Sequence, residues 1–284
     1  MKYHTSISLL LLFVFALAPL ALEAGTVKAL RVVGQVELVE EATGRTAPLR
    51  TGQIFGEGNT VVTHAASNAI LVFSNGSTLN VASESSVRVE TLIQEAFSPA
   101  MGEFQALTEE PSQSETRVHL NYGEVTGRSR LREGSSFDIA TDVGVAGIRG
   151  SIVQVRLETV TTPDGRERRV MTVAVLEGDQ TVGVWSVNVS EIAEFRPLEE
   201  GTVAEISFDD ETGEVVFSPL TAAQTSRIIS ILEAIQNAID DAEPGDPQPD
   251  IPDFDFDDED DEESGRRDEH RESPDLELPG ISPF

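Results

Sequence analysis

The residues best suited by type and spacing to do chemistry lie near the C-terminus, where carboxylates alternate over residues 253–257 as they do in a calcium-binding loop. The pattern then departs from such a loop. Asp258 stands where the tight turn needs glycine, and Ser264 stands where a bidentate glutamate belongs. The run over residues 250–263 is therefore interpreted first as a solubilising charged segment, and weak, diffuse association with divalent cations is favoured over a specific metal site.

Side chains that could act as catalysts are sparse. His64, His119 and His270 are scattered, with no second histidine four residues away and no serine elbow. The chain has no cysteine, which excludes thiol catalysis and cysteine-lined metal sites. Acid–base catalysis would need a pair of carboxylates with shifted pKa values, such as Glu124 facing Asp138. We expect a protein that is not an enzyme and binds no cofactor.

Composition narrows the classes of partner. The 284 residues carry a formal net charge of −30 at pH 7, and a surface this acidic repels phosphate groups. The charge therefore argues against binding to nucleic acid or to anionic membranes. Hydrophobic residues make up 39%, below the usual share of a globular chain, which indicates that part of the chain does not fold.

The N-terminus has the pattern of a secretory signal peptide. Lys2 precedes an apolar run over residues 7–17, and Ala24 ends a small-residue cleavage site. The apolar run is short for a transmembrane helix, and no later segment approaches about 20 apolar residues. We expect residues 1–24 to be removed, leaving a periplasmic or secreted protein without a membrane span; an uncleaved anchor is the alternative.

Short strands are the elements that would position these side chains. Residues 27–39 alternate between apolar and polar types, and short apolar runs then follow at 60–63, 69–73 and 78–81, at intervals of about eight to ten residues. Between the last two, Asn75 and Gly76 favour the positive φ values of a tight hairpin turn. Residues 94–116 break the rhythm and are interpreted as an insertion. The pattern predicts a mainly β fold, an irregular sandwich, barrel or solenoid of short antiparallel strands.

Glycines punctuate the central stretch, residues 120–157, and Arg149 stands between Gly147 and Gly150. Its guanidinium could hold several backbone carbonyls or could face a ligand carboxylate.

Trp185 has two interpretations as well, a core residue of a second β unit or a surface on which a sugar stacks.

A helix and a polar tail end the chain. Thr221 and Gln224 have the spacing of a capping box. Apolar residues then follow at helical spacing up to about Asp241, at Ile228, Ile231, Leu232, Ile235 and Ile239. Such a stripe packs on its own domain or serves self-association or a partner's groove. Residues 243–284 carry too little apolar surface to offset the entropy of ordering them, which predicts disorder.

Two stretches together resemble the FecR-type domain, the periplasmic module of iron-signalling anti-sigma regulators. The first holds Gly58-Asn59-Thr60-Val61-Val62-Thr63 and Val72-Phe73-Ser74-Asn75-Gly76-Ser77. The second holds Gly134-Ser135-Ser136-Phe137-Asp138-Ile139-Ala140-Thr141 and Gly147-Ile148-Arg149-Gly150-Ser151. The chain departs from the family's pattern at Asn59, Asp142 and Ser151. We call seven positions the signature residues and expect them to be structural: Gly76, Ser77, Gly134, Phe137, Thr141, Arg149 and Gly150.

The resemblance implies an exported β module that meets another protein, here an unidentified envelope protein, and a sheet edge is one candidate surface for that contact. The family's regulators carry a sigma-factor-binding region and a transmembrane helix ahead of this domain, whereas here a signal leads almost directly into strands. A structural or carbohydrate-associated surface protein is the alternative. The expected organisation is a signal peptide (1–24), a FecR-like β domain (25–219, with the resemblance over 52–157 and a second unit over 158–219), a helix (220–242) and an acidic tail (243–284).

Overall fold

The computed structural model describes residues 22–97, 106–148, 150–178, 183–185, 197–208 and 213–242. Within these residues the chain forms seventeen strands and one helix, α1 (Ala222–Asp241). The strands are β1 (Leu22–Ala24), β2 (Val27–Val33), β3 (Val36–Glu40), β4 (Arg45–Pro48), β5 (Ile54–Phe55), β6 (Asn59–Thr63), β7 (Asn68–Phe73), β8 (Thr78–Val81), β9 (Ser85–Glu95), β10 (Ser114–Arg128), β11 (Ser136–Ala140), β12 (Val145–Ile148), β13 (Ile152–Thr161), β14 (Glu167–Glu177), β15 (Gly183–Trp185), β16 (Thr202–Phe208) and β17 (Gly213–Pro219).

The strands form two open sheets. The strand order of sheet A is β4-β3-β6-β9-β10-β11-β12-β15. Strand β1 pairs with the end of β9, on the same side of β9 as β6. Sheet B runs β5-β2-β7-β8-β10-β13-β14-β16-β17. All pairs are antiparallel except β10 with β11, which is parallel. The fold class expected from the sequence is confirmed, and the pairing selects a sandwich of two sheets.

One long strand, β10, belongs to both sheets. Its first part pairs with β9 and β11 in sheet A, and residues from Gly123 onwards pair with β8 and β13 in sheet B. The strand bends at Gly123, where φ is +92°. A Cβ atom at this position would lie 2.6 Å from the Cα atom of Ser85, so the bend requires glycine.

The core lies between the two sheets. Phe73 of sheet B and Phe137 of sheet A meet edge to face, with ring centroids 5.2 Å apart and planes at 84°, a favoured arrangement of aromatic rings. Around them pack the inward-facing residues of most strands, among them Val27, Leu71, Leu79, Val87, Val118, Ile139, Val155, Met171 and Ile206.

Helix α1 covers part of the outer face of sheet B. One group of its side chains, including Ile235 and Ala238, packs on Leu30, Ile70 and Val72. Another apolar group joins Ile228 to residues of β13, β14 and β16, namely Ile152, Ala174 and Val203. This explains why β7 is buried at five consecutive positions: one face of the strand lies on the core and the other lies under the helix.

Several local expectations can be compared with the structure. The capping box forms, because the Thr221 hydroxyl accepts from the Gln224 N–H and the Gln224 side chain accepts from the Thr221 N–H. The hairpin at residues 74–76 differs in type. Only Gly76 has positive φ, and its N–H donates to the Phe73 carbonyl at 2.8 Å, so the loop has three residues, in which Gly76 alone takes the left-handed position.

Some expectations fall outside the described residues. Residues 1–21 and 243–284 are not described, so removal of the signal peptide and disorder of the tail stay predictions, as do the domain boundaries. The predicted cleavage after Ala24 would remove β1, which pairs with the end of β9. In the described part of the chain, no helix is both long and apolar enough to cross a membrane.

Candidate functional site

Three signature glycines each turn the chain immediately before a buried serine. Gly76, Gly134 and Gly150 have φ values of +83°, +91° and +67°, in the region that favours glycine. The serines that follow, at 77, 135 and 151, are buried, and each stands directly before a strand, namely β8, β11 and β13. The glycine–serine pairs therefore set where these strands enter the core.

Two of these serines lie in one row with a third. Thr78 pairs with Arg128, and Arg128 pairs with Ile152, so the residues next along the three strands are neighbours too. We name them the serine row: Ser77, Ser129 and Ser151. The Ser129 N–H donates to the Ser151 carbonyl at 3.2 Å. All three hydroxyl oxygens are buried and lack a hydrogen-bond partner in the part of the chain that the structure describes.

A network of polar side chains ties the β7–β8 hairpin to the start of β10. The Asn75 amide nitrogen donates to the Ser114 hydroxyl at 3.0 Å and to the Thr116 hydroxyl at 3.2 Å. Its amide oxygen accepts from the Ser77 N–H at 2.9 Å. Ser114 in turn donates to the buried Glu110 carboxylate. The network satisfies groups that would be costly to bury alone, so it holds the two sheets in register.

Two further signature residues have structural positions. Phe137 is the sheet A partner in the aromatic pair of the core. The Thr141 hydroxyl accepts from the N–H groups of Val143 and Gly144, at 3.2 and 3.0 Å, and so closes the turn between β11 and β12. Arg149 lies outside the described residues, and its structural role stays a prediction.

The carboxylates Glu124 and Asp138 are assigned to different sheets. Glu124 stands in the sheet B part of β10, opposite Arg156, whereas Asp138 stands beside Arg117 in sheet A. Glu124 accepts instead from the Arg227 guanidinium at 2.7 Å and from the Gln154 amide at 3.1 Å. The geometry gives Glu124 a cation and an amide as neighbours, which is an ion pair under a helix rather than an acid–base pair.

Burial raises the pKa of the Glu124 carboxyl, and the nearby guanidinium groups of Arg227 and Arg156 oppose the rise. The folded-state pKa is therefore above the unfolded value. Glu124 then contributes stability that is fully present below the unfolded pKa and is lost as the pH rises through the folded pKa.

Charged side chains line the outer face of sheet A. The Glu90 carboxylate contacts Arg88, lies 3.3 Å from the Arg117 Nε and lies 3.5 Å from the His119 Nδ1. Burial lowers the pKa of His119, although the Glu90 charge opposes this shift. The His64 Nε2 lies 3.5 Å from the Glu37 carboxylate, so the two histidines contact different carboxylates.

The sequence raised two candidate sites, a metal site at the acidic run and a sugar-stacking site at Trp185. In the ranges that the structure describes, no group of three or more histidine, aspartate or glutamate residues could hold a metal ion. The acidic run over residues 250–263 lies outside those ranges, so weak cation association stays a prediction. Trp185 lies on β15, which pairs with β12 in sheet A, and its side chain is not described. Sugar stacking on it is also untested.

Sequence reasoning missed the serine row, Glu110 and the role of Arg227. One signal was present for Arg227: it is the only basic residue of α1 and stands next to the apolar stripe at Ile228. The serine row carried no signal in the sequence, because its members are 52 and 22 residues apart and meet through strand pairing.

The fold defines a class of protein: a two-sheet β module in which the described signature residues form turns and core contacts. Residues 59–179 match the model of the family described as FecR protein, so the chain contains a FecR-type domain. The resemblance seen in the sequence is thereby confirmed, and the match extends beyond residue 157 through β14.

Two solved structures of a candidate anti-sigma factor from Parabacteroides distasonis, at 1.65 and 2.50 Å resolution, are similar to this chain. They are 16% and 14% identical to it, each match covers 63% of this chain and 74% or 71% of the other, and both TM-scores are 0.38. No curated protein matches the chain.

Proposed function

We propose that this protein is an exported, non-enzymatic FecR-domain protein that acts as a protein–protein interaction or signalling module in the bacterial envelope. The observation that carries the proposal is the FecR match over residues 59–179, together with the structural use of its signature side chains. Side chains that close turns and fill the core hold a shape, and recognition then falls to the outer surfaces of that shape.

The outer surfaces offer features that suit protein recognition. The outer face of sheet A carries a mixed-charge network around Glu90, which suits charged groups of a protein partner. Tyr122, at the bend between the two sheets, is 47% exposed. Tyrosine is enriched at protein interfaces because it joins a large apolar ring to a polar hydroxyl.

The experiment has two parts. Cell fractionation and N-terminal sequencing test export. We expect to recover the protein from the periplasm or the medium, with Gly25 as its first residue. Recovery of the protein from the cytoplasm with Met1 retained would contradict export. A photoreactive amino acid placed at Tyr122 then tests interaction in living cells, with Asp164, on the exposed β13–β14 hairpin, as the matched control.

We expect position 122 to form an adduct with a different envelope protein, of defined mass, and position 164 to form none. Equal, heterogeneous adducts at both positions would indicate random collision. Adducts containing only this chain, at these positions and at others on sheet A, would contradict an envelope partner.

A further inference from the structure

The last strand of sheet B is an exposed apolar edge. In the described part of the chain, β17 pairs with β16 on one side only. Val216 and Phe217 on this strand are 49% and 42% exposed. Proteins usually protect a sheet edge with charge, proline or a covering segment, because an unpaired apolar strand is a template for another strand.

The backbone groups on the free side of β17 can be assigned. The Leu220 N–H donates to the Gly201 carbonyl at 2.8 Å, one step beyond the Thr202–Pro219 pair of the β16–β17 ladder. Hydrogen-bonding positions alternate along an antiparallel strand. The N–H and C=O groups of Val216 therefore point towards β16, and those of Val215 and Phe217 point away from the sheet.

The strand is self-complementary about Val216. When two copies of β17 run antiparallel with Val216 opposite Val216, Val215 of each falls opposite Phe217 of the other. The outward donors and acceptors of these two residues then match, which forms four hydrogen bonds. In this register Val216 pairs with Val216 on one face of the strands, and Val215 pairs with Phe217 on the other, so apolar residues pair on both faces.

We propose that two copies of this chain associate edge to edge through β17, in the antiparallel register centred on Val216. The contact follows a two-fold axis, so the same residues serve both copies. It is independent of any envelope partner and leaves Tyr122 and the outer face of sheet A outside the paired strands. Because each copy carries a net charge of −30, the two repel each other, and added salt should strengthen the association.

Sedimentation equilibrium tests the association. We expect the average mass to rise with concentration from that of one chain towards that of two chains, and to rise further at higher salt. Val216→Lys places like charges at the two-fold axis and should keep the protein at one chain. The matched control is Val33→Lys, because Val33 is 47% exposed at the end of β2 and should tolerate lysine without loss of association.

Cysteine cross-linking tests the register and does not depend on the lysine variant folding. The chain has no cysteine, so a single Val216→Cys reports only that position. Residues opposite each other at a non-hydrogen-bonded position have Cα atoms about 4.5 Å apart, within reach of a disulfide. With copper phenanthroline as oxidant, V216C should form a disulfide-linked dimer at least tenfold faster than V33C.

Three results would overturn the proposal: one chain at all concentrations, association that survives in V216K, or equal cross-linking of V216C and V33C. These outcomes are separate from those of the photocross-linking experiment. A chain that remains a monomer could still bind an envelope protein, and a dimer could lack such a partner.

Discussion

Two neighbouring isoleucines on α1 allow a matched test of how the helix is held. Ile228 is fully buried against sheet B, whereas Ile229 is 43% exposed. Replacing either residue by alanine changes helix propensity equally, so the difference between the two variants isolates packing.

The magnitude follows from burial. Ile→Ala deletes three carbon atoms, and at about 0.8 kcal/mol per buried CH₂ the transfer loss at Ile228 is about 2.4 kcal/mol. The cavity left under the helix adds to this, so we expect a total of about 2.5–4 kcal/mol. Ile229→Ala should change the free energy of unfolding by less than about 0.5 kcal/mol, since surface substitutions rarely exceed that.

The assay is urea unfolding at 25 °C followed by circular dichroism, with the slope m compared among the three proteins. At equal m, the shift in midpoint reports the change in stability directly. Equal losses in the two variants would refute the docking of α1 on sheet B. An unchanged midpoint in I228A, with faster hydrogen exchange in α1 alone, would show that the helix opens separately from the sandwich.

Three further predictions concern other parts of the chain. Relative to Glu124→Gln, the wild-type protein should lose stability as the pH rises through the raised pKa of Glu124, measured by urea unfolding between pH 4 and 8; parallel curves would contradict this. Gly165→Ala has open space around the new methyl group and should cost about 1–2 kcal/mol for its left-handed φ. Gly123→Ala should cost at least about 1 kcal/mol more, because it also meets Ser85. Ending the chain at Glu243 should change the free energy of unfolding by less than about 1 kcal/mol, and a larger loss would show that the tail docks.

Much of the fold was predictable because its signals are local. The continuous apolar run over residues 69–73 and the alternation over residues 78–81 identified β7 and β8, and the apolar stripe identified α1. The hairpin between the two strands was placed correctly, although its type was wrong. Asparagine followed by glycine suits two loop geometries, and the pairing of the strands selected the one in which only Gly76 has positive φ.

The site was harder to predict. Glu124 was expected to face Asp138 if the protein were an enzyme, and the structure pairs it with Arg227, 103 residues away. The sharing of β10 between two sheets causes this difference, because Glu124 and Asp138 then belong to different sheets. No periodicity in the sequence reports which sheet a given half of a strand will join.

The sequence by itself determined the element types, the turn positions, the apolar face of α1 and the resemblance to the FecR domain. Each of these depends on dihedral preferences or side-chain spacing within a few residues. Only the tertiary structure decided which strands pair, where Gly123 bends β10, that three distant serines form a row, and that β17 pairs on one side only among the described residues, with Val216 and Phe217 exposed. These features depend on contacts between residues far apart in the chain, and such contacts are selected by the packing of the whole core.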